Sequence, residues 1–250
     1  MNKYKKPLLF TLALLPLAVA GSYFAARMSV ASMAPSVLEP ILEQIGSEQT
    51  LVLLCAVQPV FLALLSGFLG YLLSERIGLL RPFRFEKAPL CRALLVSLIG
   101  GAVFSLDAWT FGKWIPGLGY ESTGVFDPVT WIASVLYGGV TEEVMMRLFL
   151  MSLLAFLGWK TFRKNEPAVP AKVLIASNVI AALLFAAGHL PATALTFGTL
   201  TPLLVFRCFL MNGAFGLVFG RLYRKYGIQY AVLSHILFHV VARTIWLIAF

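Results

Sequence analysis

Glu142, Glu143, Arg147, His189, His235 and His239 are the residues of this 250-residue sequence best suited to acid–base chemistry, and all six fall in or at the ends of long apolar runs. The chain has only three histidines, and none sits in a polar loop. Ionisable groups at membrane depth are costly, so they face a bundle interior and mark a pathway or a site. Glu143 and Arg147 are four apart, on one helix face, where an ion pair lowers the cost of burying both. Glu142 points about 100° away from that pair and stays available as a proton acceptor. His235 and His239, also four apart, share a face. A glutamate beside a histidine can take a proton from water, and further imidazole N–H groups can stabilise the oxyanion formed when that water attacks an amide. In the alternative, His189, His235 and His239 hold one zinc ion and Glu142 serves as base. Both chemistries end in hydrolysis.

The elements that position these groups follow from composition. Hydrophobic residues make up 60% of the chain and charged residues 12%, which excludes an ordinary soluble domain. Apolar runs of spanning length at about 7–26, 50–73, 93–111, 129–158, 172–190, 200–220 and 228–249 predict an all-α polytopic bundle of about seven membrane-spanning helices, without an internal repeat. The formal charge of +9 belongs to cytoplasmic loops rather than to nucleic-acid binding. Basic loops alternate with loops carrying Glu39, Glu43, Glu48, Glu121 and Asp127, which places the amino terminus in the cytoplasm. Residues 2–20 also fit a cleavable signal peptide, in which case six helices remain. Cys55, Cys91 and Cys208 read as small apolar residues. The fourth run is long for one straight span, and Gly138-Gly139 is the expected place for a break or sharp tilt. Counting from the cytoplasmic helix ends puts Glu142 and His189 roughly 24 Å deep, His239 roughly 16 Å and His235 roughly 10 Å. His235 is then the awkward member, with a supporting part or a misplaced helix boundary as the reason.

Three motifs, Glu142-Glu143-x-x-x-Arg147, Phe185-x-x-x-His189 and His235-x-x-x-His239, resemble those of the CPBP family of intramembrane proteases, which includes CAAX prenyl endopeptidases and Abi proteins. The resemblance covers about 128–245 and divides the chain into an N-terminal transmembrane region, 1–127, and a catalytic domain, 128–245. It implies a helical membrane bundle that cuts a peptide or membrane-protein substrate at the lipid bilayer. Glu142 would be the general base, His189 would orient the water, His235 and His239 would stabilise the oxyanion, and Glu143 with Arg147 would form the supporting pair. Family members are labelled metalloproteases or assigned a metal-free glutamate mechanism, so both zinc and no cofactor stay open. The last position is commonly Asn in the prenyl endopeptidases, where this chain has His239. The resemblance does not establish a prenylated substrate.

Two other classes use the same residues: a non-catalytic scaffold of this fold, in immunity or envelope regulation, and a proton-coupled transporter with a Glu/His relay. The expected location is the cytoplasmic membrane of a bacterium. Asp107, Asn178, Arg207, Asn212 and Arg243 are further polar residues near spans, with ion pairing, snorkelling or, for Arg243, a substrate carboxylate as their uses. Gly213, Gly216 and Gly220 predict close helix packing.

Overall fold

In lipid, long apolar stretches satisfy their backbone polar groups only as helices or closed barrels. The computed structural model describes residues 3–118 and 124–250, and no strand occurs among them; Glu121 lies outside the described residues. The helices are α1 (Lys5–Ala31), α2 (Pro35–Ile45), α3 (Glu48–Arg76), α4 (Lys87–Ser105), α5 (128–162), α6 (Ala171–Gly188), α7 (Leu190–Phe197), α8 (Pro202–Tyr226) and α9 (Ile228–Ala249). Six helical stretches are long and apolar enough to cross a membrane: α1, α3, α4 with the turns after it to Lys113, α6 with α7, α8, and α9. The remaining expected span is α5, which carries Glu142, Glu143 and Arg147. The protein is thus an integral, multi-pass membrane protein.

Side-chain size sorts the two surfaces of these helices. Leu12, Val57, Phe61, Leu98, Ile99 and Leu183 point outward and exposed, whereas Ala18, Ala63, Ser66, Gly67, Ala93 and Ser97 are buried between helices. Outward bulk and inward small residues are what a lipid-solvated bundle needs, because close backbone approach replaces the hydrophobic drive. Helix starts are set by side chains that accept from free backbone amides. Ser47 Oγ accepts from Thr50 N–H at 3.2 Å, Asp127 from Val129 and Thr130 at 3.1 and 3.0 Å, and Thr201 from Leu204 at 3.3 Å.

The centre of the bundle is α5. Its Val144, Leu148, Met151 and Ala155 pack against Leu14 and Ala18 of α1, Ala63 of α3, Ala181 of α6, Phe219 and Tyr223 of α8, and Phe238 of α9. The first helix is therefore part of the core, whose loss would strip one side of α5. Gly216 and Gly220 do let α8 lie close on α6, against Ala182 and Asn178. Asp107 and Arg207 form a charge pair, with Arg207 Nε 3.0 Å from each carboxylate oxygen, that fastens the end of α4 to α8.

The break expected at Gly138-Gly139 is absent. The backbone stays helical from 128 to 162, but it widens into π turns over Ala133–Glu142 and Val144–Met151. Thr141 Oγ1 accordingly donates to the Leu136 carbonyl five residues back, at 3.2 Å. The glycines serve an approach rather than a bend. A Cβ on Gly139 would lie 2.3 Å from Ile236 Cγ1 and 3.0 Å from Ile236 Cα, and one on Gly138 would lie 2.8 Å from His239 Nε2. Replacing Gly139→Val is expected to force α9 outward and cost about 1–3 kcal/mol. Thermal denaturation in detergent reads this, and an unchanged melting temperature would contradict the packing argument.

Candidate active site

The crossing of α9 over the π turns of α5 brings together residues that the sequence places 92 positions apart, with the His235 Nδ1–H donating to Glu143 Oε1 at 2.9 Å. The same oxygen lies 3.0 Å from Arg147 Nη1, and the Glu143 side chain is 0% exposed. Arg147 Nη2 also donates to the Gly216 carbonyl at 3.2 Å, and its guanidinium rests 4.6 Å from the centre of the Phe185 ring. His235 stacks on Phe219, centroids 4.3 Å apart. Glu143, Arg147 and His235 therefore form a buried unit, joined by one ion pair and one hydrogen bond and held between α5, α6, α8 and α9.

Glu142 faces the other way. Its carboxylate lines a cavity of about 230 Å³ that neither Glu143 nor Arg147 reaches. Across from it, 3.8 Å away, is His189 Nε2. His189 sits at the junction of α6 and α7, where its Nδ1–H donates to the Phe185 carbonyl at 2.8 Å. Because a carbonyl only accepts, this bond leaves the Nε2 lone pair facing Glu142 in the neutral ring. A separation of 3.8 Å is too long for a direct hydrogen bond and suits two groups that share one water molecule.

His239 completes the arrangement from α9, its ring 4.8 Å from that of His235 and inclined by 23°. The depth mismatch inferred for His235 disappears because α9 crosses α5 at Gly138 and Gly139. His189, His235 and His239 all border the cavity, yet they do not form the three-imidazole metal set. No group of three His, Cys, Asp or Glu side chains among the described residues is arranged to hold a metal ion. The stacked rings explain why: imidazole lone pairs lie in the ring plane, and two nearly parallel planes cannot both aim at one ion about 2 Å away. The donor set thus does not fit zinc.

Aromatic and apolar side chains supply most of the remaining wall, including Phe104, Phe185, Phe215 and Phe238, with Ala25 and Met28 from α1. Arg243 reaches the cavity with its Nε–H donating to Ser134 Oγ at 2.7 Å, and Asn212 donates to the Cys208 carbonyl at 3.0 Å. Sequence reasoning missed Tyr137, Phe219 and the contribution of α1. Tyr137 lines the cavity from the π-turn segment of α5, and a tyrosine in an apolar run carries no signal of its own.

No curated protein and no solved structure matches the chain. The six ionisable residues lie within 124–241, the stretch that matches the family model of the Rce1-like type II CAAX prenyl endopeptidases.

Proposed function

We propose that the protein is an intramembrane endopeptidase that hydrolyses a peptide bond in a membrane-associated or secreted peptide substrate with a water activated by Glu142 and His189. The observation that carries this reading is the Glu142 carboxylate in an apolar-walled cavity, 3.8 Å from His189 Nε2, while Glu143 alone is bound to Arg147. One carboxylate is committed to structure and the other faces the space where a substrate fits. Glu142 takes a proton from the water as its oxygen adds to the scissile carbonyl carbon. The tetrahedral intermediate then expels the amine, which receives that proton back from Glu142. His189, fixed by its bond to Phe185, orients the water. The fixed Glu143–Arg147–His235 unit holds α5 and α9 in register, so that His239 faces the developing oxyanion.

Quantitative mass spectrometry of peptide termini tests the reading, in membranes and medium from cells carrying the native protein or Glu142→Gln at equal levels. A new pair of termini found only with the native protein supports it. Identical profiles from two well-folded proteins would transfer the residues to a scaffold role. Since the donor set does not fit zinc, cleavage is expected to persist after exhaustive chelation; loss of activity restored by added zinc would contradict that.

A further inference from the structure

An oxyanion needs hydrogen-bond donors, and few polar groups of the cavity are free to donate. His235 gives its Nδ1–H to Glu143 at 2.9 Å. Arg147 already supplies the cation for that carboxylate, at 3.0 Å, so the ring serves as a dipole with its lone pair on Nε2. His189 is in the same position, with Nδ1–H on the Phe185 carbonyl. Asn212 is bound to the Cys208 carbonyl, and Ser134 donates to the Thr130 carbonyl at 2.7 Å. Arg243 gives its Nε–H to Ser134 Oγ at 2.7 Å. Among the neutral side chains that line the cavity, His239 remains, and with it Tyr137.

Tyr137 precedes Glu142 by five residues, which in a regular α-helix would turn it about 140° away. The π turns over Ala133–Glu142 undo much of that divergence, since their repeat relates positions five apart. Both side chains line the cavity with His189 and His239, and the phenol lies within electrostatic reach of Glu142. No hydrogen bond joins its hydroxyl to any described residue. On the opposite side the backbone is clamped by α1. A Cβ on Gly21 would stand 3.0 Å from Tyr137 N and 3.0 Å from Leu136 C, so the two helices touch at this turn. The ring is thus carried on a fixed backbone, in the wall that Glu142, His189 and His239 share.

We propose that Tyr137 is a further catalytic residue, whose hydroxyl donates a hydrogen bond to the oxyanion formed when water adds to the scissile carbonyl, beside His239. The inference rests on the endopeptidase reading. The π turns acquire a purpose from it, because a regular α-helix would aim Glu142 and Tyr137 at different neighbours. The step needs no net proton transfer from the phenol: the O–H bond persists, and the hydrogen bond strengthens as the carbonyl oxygen gains charge.

The test compares native protein, Tyr137→Phe and Glu142→Gln in detergent micelles. The probe is an internally quenched peptide library with apolar residues flanking the scissile position. Tyr137→Phe, which keeps the ring, is expected to lower kcat by about 10²–10³-fold with KM little changed. A kcat equal to the native value, with Glu142→Gln inactive, would overturn the role of Tyr137 and leave the endopeptidase reading standing. Equal cleavage by Glu142→Gln, or none by the native protein, would overturn both. Incorporating 3-fluorotyrosine at 137 covers the case in which Tyr137→Phe folds poorly. Its more acidic phenol is a stronger hydrogen-bond donor and is expected to change kcat with KM little changed, a split that a packing role would not produce. A kcat equal to the native value would overturn the proposal.

Discussion

Glu142→Gln is expected to lower peptide cleavage by about 10³-fold or more while the protein inserts and melts as the native chain does. A positioned general base contributes about 10²–10⁴-fold, and a glutamine amide cannot take the proton of the attacking water. Shape and volume are retained, so substrate entry is unaffected. Stability is spared because Glu142 is not the buried member of the ion pair: its side chain is 15% exposed toward His189, whereas Glu143 is 0% exposed against Arg147. The neighbouring substitution, Glu143→Gln, should show the reverse balance, with a larger fall in melting temperature. Single-turnover rates and melting curves of both variants check the contrast. If Glu143→Gln were the inactive, well-folded protein, the two roles would have to be exchanged.

The second large effect concerns stability. Arg147→Leu is expected to cost about 3–5 kcal/mol, the usual consequence of removing one partner from a buried pair and leaving the other charge unsatisfied. Glu143 would keep only the His235 Nδ1–H as partner, at 2.9 Å, inside a region where no water-accessible surface remains to it. The Gly216 carbonyl would lose its donor as well, and the link from α5 to α8 with it. Replacing both charges, Glu143→Leu with Arg147→Leu, should recover a large part of the loss, since two apolar side chains of similar volume leave no stranded charge. Denaturant unfolding in bicelles measures this double-mutant cycle. Losses that simply add would contradict the pairing.

Legibility in the sequence depended on whether a feature obeys a regular period. The apolar runs gave the helices because backbone groups in lipid leave no other choice, and α5 stood out by its charges. The four-residue spacing of Glu143 and Arg147 correctly anticipated their contact at 3.0 Å. What escaped was produced by the departure from the period. Gly138-Gly139 looked like a helix break, but the neighbours that occupy the missing Cβ positions, Ile236 and His239, come from a helix almost a hundred residues later and could not be read locally. Counting helix depth at 1.5 Å per residue put His235 too shallow, because straight, parallel helices were assumed where α9 crosses α5. The parallel stacking of His235 on His239 was invisible too, although it decides against a shared metal ion. The helix α2, in what read as an external loop, and the packing of α1 along α5 likewise depend on tertiary contacts.

The central claim is that Glu142 and His189 act together on one water molecule. Single-turnover cleavage by the native protein, Glu142→Gln, His189→Ala and the double variant tests it most directly. Groups that act as a unit give non-additive losses, so the account predicts that the double variant is no slower than the slower single variant. Multiplying losses, or cleavage retained by either single variant at the native rate, would contradict it.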